Sequence, residues 1–140
     1  MKKSILKLSS ETEHENRQMF SISTGEKDIR ICWILNQVLK ANLFLVDDII
    51  VSIKQSDVVF RNYYFESDEG IDKYHLFVNR GNGAFLFPEL KNVDYLLLIR
   101  SESVIPPTED FIFQLKSFPE ISAFLPVDIR KLKSFSRLKL

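Results

Sequence analysis

Two rhythms of apolar residues divide the chain into elements: alternation, which marks strands, and recurrence at helical spacing. Ser4 to Leu8 reads as a first strand, with Leu6 and Leu8 on one face and Ile5 and Lys7 on the other. Ser9 to Arg17 is polar and turn-like, and alternation resumes between Met19 and Ser23 through Phe20 and Ile22. The strongest helical signal runs from about Gly25 to Lys40, without proline. Ser23 and Glu26 stand ahead of it at capping-box spacing, where each side chain can satisfy the other's free backbone N–H. Ile31, Cys32, Ile34, Leu35, Val38 and Leu39 share one broad side of this helix, and Asp28, Arg30, Asn36, Gln37 and Lys40 fall on the other. Trp33 breaks the pattern, because it lies in the middle of the polar side with Ile29 a turn before it.

The middle of the chain reads as strands at Leu43–Lys54, Val58–Glu66 and Tyr74–Arg80, with a loop at Ser67–Gly70. Gly81-Asn82-Gly83 has the composition of a hairpin turn leading into a short strand, Ala84–Phe87. Val93 to Ile99 is almost continuously apolar, as a central strand would be. A second helix is expected after Pro106-Pro107, with Thr108 as its cap and Glu109 and Asp110 at the positive end of its dipole. Phe111, Leu115 and Phe118 fall on one face of it, Pro119 ends it, and Ile121 to Val127 returns as a strand. The stretch from Val93 to Val127 is then a β-α-β unit, whose crossover puts two parallel strands in one sheet with the helix on one face. The fold class is α+β: a mixed, mostly antiparallel sheet, two main helices and a C-terminal β-α-β unit of ferredoxin-like type, in a single domain spanning 1–140.

Composition narrows the functional classes. Lysine plus arginine (19) balance aspartate plus glutamate (19), which argues against a protein built to coat nucleic acid and gives little charge protection against self-association. Twelve phenylalanines against one tryptophan suit a bulky core. Cys32 is the single cysteine, on the apolar side of its helix, so neither an internal disulfide nor a zinc cluster is expected. The apolar run behind Met1-Lys2-Lys3 ends at Leu8, too short for a signal-peptide core, and cytoplasmic residence is the expectation.

Recognisable chemistry is sparse. Only four glycines occur, at spacings that rule out a Rossmann fingerprint, and there is no phosphate loop and no nucleophile elbow. His14 and His75 stand far apart, outside any metal-ligand spacing, and His75 reads as an ordinary surface or sheet residue. Asp47 and Asp48 would point to opposite faces of a strand, which suits a solvated edge or a bulge better than a catalytic pair. No cofactor and no metal are expected. From Asp128 the tail carries Arg130, Lys131, Lys133, Arg137 and Lys139, interleaved with Ile129, Leu132, Phe135, Leu138 and Leu140. Residues 129–140 therefore suit either a basic amphipathic segment touching RNA or a membrane surface, or a tail packed back on the domain.

The run Phe87-Pro88-Glu89-Leu90-Lys91-Asn92-Val93-Asp94-Tyr95 resembles the signature of the IPExxxVDY proteins, a bacterial family. Pro88, Glu89, Val93, Asp94 and Tyr95 match, and Phe87 stands where that signature has isoleucine. The segment from Glu26-Lys27-Asp28 to Trp33 is also similar. The resemblance implies relatives without implying an activity. Read physically, Pro88 ends the preceding strand, and Asp94 needs a partner other than Arg100, which lies roughly 20 Å along the same strand. A turn cap or a helix charge would satisfy Asp94 structurally; with Glu89 it could instead line a site.

The candidate binding residues are therefore Arg30, Trp33, Gln37, Glu89, Asp94 and Tyr95. Three functional classes remain: a non-enzymatic interaction or regulatory module, with a protein partner or a second copy engaged through a sheet edge or the Trp33 surface; a small-ligand-binding domain; and an enzyme using carboxylates.

Overall fold

A computed structural model describes residues 15–102 and 109–140. The strand expected at Ser4–Leu8, His14 and the Thr108 cap lie outside the described residues. The first element is strand β1 (Asn16–Thr24), followed by helix α1 (Asp28–Leu39). Then come β2 (Phe44–Leu45), β3 (Ile49–Ile53), β4 (Ser56–Phe60), β5 (Asn62–Glu66), β6 (Asp72–Val78) and β7 (Tyr95–Ser101). Helix α2 (Glu109–Lys116) and strand β8 (Ile121–Val127) complete the main elements, and short 3-10 turns form the tail.

Six strands make one sheet in the order β2-β5-β6-β7-β1-β8, and β3 and β4 form a separate hairpin. Among the described residues every ladder in both sheets is antiparallel. The expected parallel pair exists at one remove: β7 and β8 run the same way, but β1 lies between them and pairs with both. With α1 after β1 and α2 after β7, the block β8-β1-β7-β6 has the split β-α-β connectivity of ferredoxin-like folds.

Alternation along the strands gives this sheet two apolar faces. Phe20, Ile22, Leu76, Tyr95, Leu97, Ile99 and Phe124 meet Ile31, Ile34 and Leu35 of α1 and Phe111 and Leu115 of α2 on one face. Met19, Phe77, Leu96 and Leu98 meet Val58 and Phe60 of the hairpin, Leu86, Phe87 and Val93 of the loop before β7, and Leu132 and Leu138 of the tail on the other. Six phenylalanines (Phe20, Phe60, Phe77, Phe87, Phe111 and Phe124) are buried, each contributing about 1.5–3 kcal/mol by removal from water. Gly81 lets the hairpin approach: a Cβ there would sit 2.7 Å from the side chains of both Phe60 and Val58. Among the described residues the sheet ends at β2, only two residues long, and at β8, where Pro126 stands opposite Phe20.

Several boundaries depart from the sequence pattern, and side chains explain each departure. The run Leu43–Lys54 breaks at Asp47 and Asp48, where the chain leaves the large sheet; Asn62 Nδ2 donates to the Asp47 carbonyl at 2.7 Å. The run Val58–Glu66 breaks at Arg61, whose side chain turns to the helix side. No strand forms at Ala84–Phe87; a single bridge joins Arg80 and Phe85, and the Phe87 amide instead donates to the side chain of buried Asn79 at 2.8 Å. Asn79 Nδ2 in turn donates to the carbonyls of Leu90 and Val93, which fixes the motif loop. The capping box does not form: α1 starts at Asp28 behind Lys27, Ser23 donates to the Asn92 carbonyl, and the Glu26 amide donates to the Thr24 hydroxyl.

The tail packs back on the domain. Leu132 and Leu138 are buried, and Arg137 Nη1 donates to the carbonyls of Phe85 and Leu86 at 3.2 and 2.9 Å. No helix among the described residues is long and apolar enough to cross a membrane.

Of the two alternatives for His75, surface or sheet, the sheet is the one that holds: His75 lies within β6. It is buried in β6, stacked on Phe77 at 5.5 Å and tilted against Tyr64 at 4.9 Å. Burial first, and then the Arg100 charge, pull its pKa down to about 4, with Lys73 and Arg17 adding and Glu15 opposing. A histidine depressed in the folded state stabilises the fold above its unfolded pKa of about 6.5 and loses that contribution as pH falls towards its folded value. Urea denaturation should show stability falling between about pH 6.5 and pH 4. In His75→Phe that slope should be shallower by up to about 3 kcal/mol across the window; an unchanged slope would mean that His75 does not titrate this way.

Candidate functional site

Four strand ends and the start of α1 converge on one corner of the sheet, on its helix-bearing side. A cleft of about 1120 Å³ opens there. Thr24 at the end of β1, residues 25–27 of the β1–α1 loop, the first turns of α1, Arg61 and Tyr63 from β5 and its approach, Val78 at the end of β6 and Arg80 beyond it, and Asp94 and Tyr95 at the start of β7 line it. Clefts with an apolar body and a few convergent polar groups are where small molecules bind.

Asp28 organises this corner. It lies in the first turn of α1, where a carboxylate complements the helix dipole, and it is only 9% exposed. Its Oδ1 accepts from the Tyr95 hydroxyl at 2.9 Å, which also lies 3.0 Å from the Glu26 carbonyl. Its Oδ2 accepts from Arg61 Nε at 2.8 Å and from the Tyr63 hydroxyl at 2.9 Å. Burial by itself would raise the Asp28 pKa, but the hydrogen bonds from Arg61, Tyr63 and Tyr95 and the Arg61 charge outweigh it and hold the carboxyl below its usual range. Burial and the Asp28 bond push Tyr63 up to about 12 and raise Tyr95 as well, so both remain neutral donors.

A second carboxylate closes the opposite wall. Asp94 accepts from the Thr24 amide through Oδ2 and from Arg80 Nε through Oδ1, each at 2.9 Å. It therefore caps the end of β1 and pairs with a charge from the end of β6 rather than from a helix. Arg80 also lies over the ring of Phe85, 5.2 Å from its centroid. On the helix rim Arg30 bonds Glu120 through Nε and Nη2, and its guanidinium lies 4.7 Å from the Trp33 ring centroid. Trp33 is 47% exposed, and Ile29 beside it 84%.

Of the six residues singled out in the sequence, Arg30, Trp33, Asp94 and Tyr95 line this cleft. Gln37 is exposed further along α1 and is not among the lining residues. Glu89 belongs elsewhere: its carboxylate accepts from the Ser134 amide and hydroxyl at 2.9 and 2.8 Å and so holds the tail. Burial pulls the Glu89 pKa upward, but these bonds prevail and keep it low. Glu89 and Asp94 are thus tied into separate clusters. Asp28, Arg61 and Tyr63 were missed, because the helical period places Asp28 on the polar side and nothing local links it to β5. An acid in the first turn of a helix, with a tyrosine ahead in the motif strand, was the available signal.

The chain matches no family model, and no curated protein is similar to it.

Replacing Asp28 by Asn removes the charge that orders three donors. At pH 7 Asp28→Asn should lose about 2–3 kcal/mol of stability in urea. Because the folded pKa is depressed, the wild-type contribution is present above the unfolded carboxyl pKa and vanishes as pH falls through the folded value. The two proteins should therefore converge in acid, and a gap independent of pH would contradict the ionised pairing.

Proposed function

We propose that this domain is a non-enzymatic regulatory module that binds a small ligand in the cleft between the start of α1 and the sheet. The supporting observation is the cleft itself: apolar and tyrosine surface from Val78, Tyr63 and Tyr95, with charged groups held in place around it. The carboxylates Asp28 and Asp94 already accept protein hydrogen bonds, which fits binding better than proton transfer. The likeness to the IPExxxVDY family, with a bacterial and cytoplasmic setting, is part of this proposal. Its support is that Asp94 and Tyr95 of that motif hold the cleft together.

Gly25 provides the test. It lines the cleft, and a Cβ there meets nothing within 4 Å, so a side chain can be introduced at this position. A fragment that binds should change the emission of Trp33, the only tryptophan, and raise the melting temperature. Gly25→Phe should abolish both responses while keeping its own melting temperature near that of the wild type. Responses that survive the substitution would place the ligand elsewhere and sink the reading.

A second reading is favoured by the exposure of Ile29 and Trp33 side by side on the rim: a protein partner or a second copy covers this surface. On that reading sedimentation equilibrium finds a dimer, and Ile29→Asp weakens it at least tenfold. A wild-type monomer at 100-fold dilution steps up to about millimolar concentration would remove self-association.

A further inference from the structure

The cleft offers donors and few open acceptors. Arg61 and Arg80 are held side-on through Nε, by Asp28 at 2.8 Å and Asp94 at 2.9 Å. Arg61 also bonds the Tyr63 side chain, and the two arginine side chains remain 55% and 53% exposed. Arg30 differs, because Glu120 takes both its Nε and its Nη2. The carboxylates that aim Arg61 and Arg80 are themselves fixed, Asp28 by two tyrosine hydroxyls and Asp94 by the Thr24 amide.

These arginines are therefore pre-oriented forks, which lose little freedom on binding. A guanidinium edge with paired N–H groups matches a carboxylate or a phosphate. Beside the forks lies the half-buried ring of Tyr63, its hydroxyl tied to Asp28, with Tyr95 packed behind it in the core. Lys27, with no side chain capping the helix behind it, borders the same cleft.

We propose that the ligand of this cleft is a planar ring bearing one oxyanion, a carboxylate or a phosphate, with the oxyanion on the exposed guanidiniums of Arg61 and Arg80 and the ring against Tyr63. This assignment rests on the cleft being a small-molecule site. A net positive field is not required, because Asp28 and Asp94 offset the two guanidiniums; the donor geometry selects the ligand.

Titration calorimetry of the full chain with matched probes tests this: 2-naphthoate, 2-naphthyl phosphate and the neutral 2-naphthamide. At least one acid should bind tenfold or more tighter than the amide, and the tighter acid tells carboxylate from phosphate. Arg80→Gln and, separately, Arg61→Gln should cut that acid-over-amide preference below threefold, with circular dichroism confirming each fold. Equal binding of acids and amide would overturn the oxyanion assignment yet leave the cleft a ligand site. No binding by any probe would count against both. A preference undiminished in both arginine variants would overturn the role given to the forks.

Discussion

One buried carboxylate sets the geometry of the helix-bearing corner. Asp28 stands at the start of α1 and receives bonds from β5 and β7, two strands separated by β6. An ion of this kind is tolerable in a part-buried place only because donors surround it. The bonds fix where α1 begins, how its first turn sits over the sheet and which way the Tyr63 and Tyr95 rings face. They also explain why Arg61 interrupts the strand signal between β4 and β5: its side chain is required at Asp28.

The sheet divides its tasks by face. The helix face carries the cleft at one corner. The other face is covered by pieces that come from far apart in the sequence: the β3–β4 hairpin, the loop before β7 and the tail. Two polar side chains lock those pieces, Asn79 under the motif loop and Glu89 against Ser134. The conspicuous motif Pro88–Tyr95 is thus split between the two faces, with its Glu89 holding the tail and its Asp94 and Tyr95 building the cleft.

The sequence makes elements with strong periodicity legible. The apolar side of α1, the central β7, the strand at Ile121–Val127 and the α+β class all follow from spacing, because burial imposes that spacing directly. Trp33 was visible as a misfit on a polar helix face, and it does lie on the cleft rim. What escaped is whatever depends on contacts between distant residues. The Ser23–Glu26 spacing suggested a cap, yet both residues are engaged otherwise by Asn92 and Thr24. Asp28 looked solvated because a helical wheel has no knowledge of Tyr95, sixty-seven residues away. His75 looked ordinary for the same reason: its burial comes from Tyr64 and Phe77 on the assembled sheet.

Pro126 has a consequence for life at high concentration. A chain with equal numbers of acidic and basic side chains has little electrostatic repulsion to keep its copies apart. An exposed strand edge is the usual template for stacking one copy on another. Among the described residues β8, at one margin of the sheet, carries a residue with no N–H to give, and β2, at the other, is two residues long. Such margins give a stacking copy few backbone partners, a restraint that neither salt nor pH can screen away.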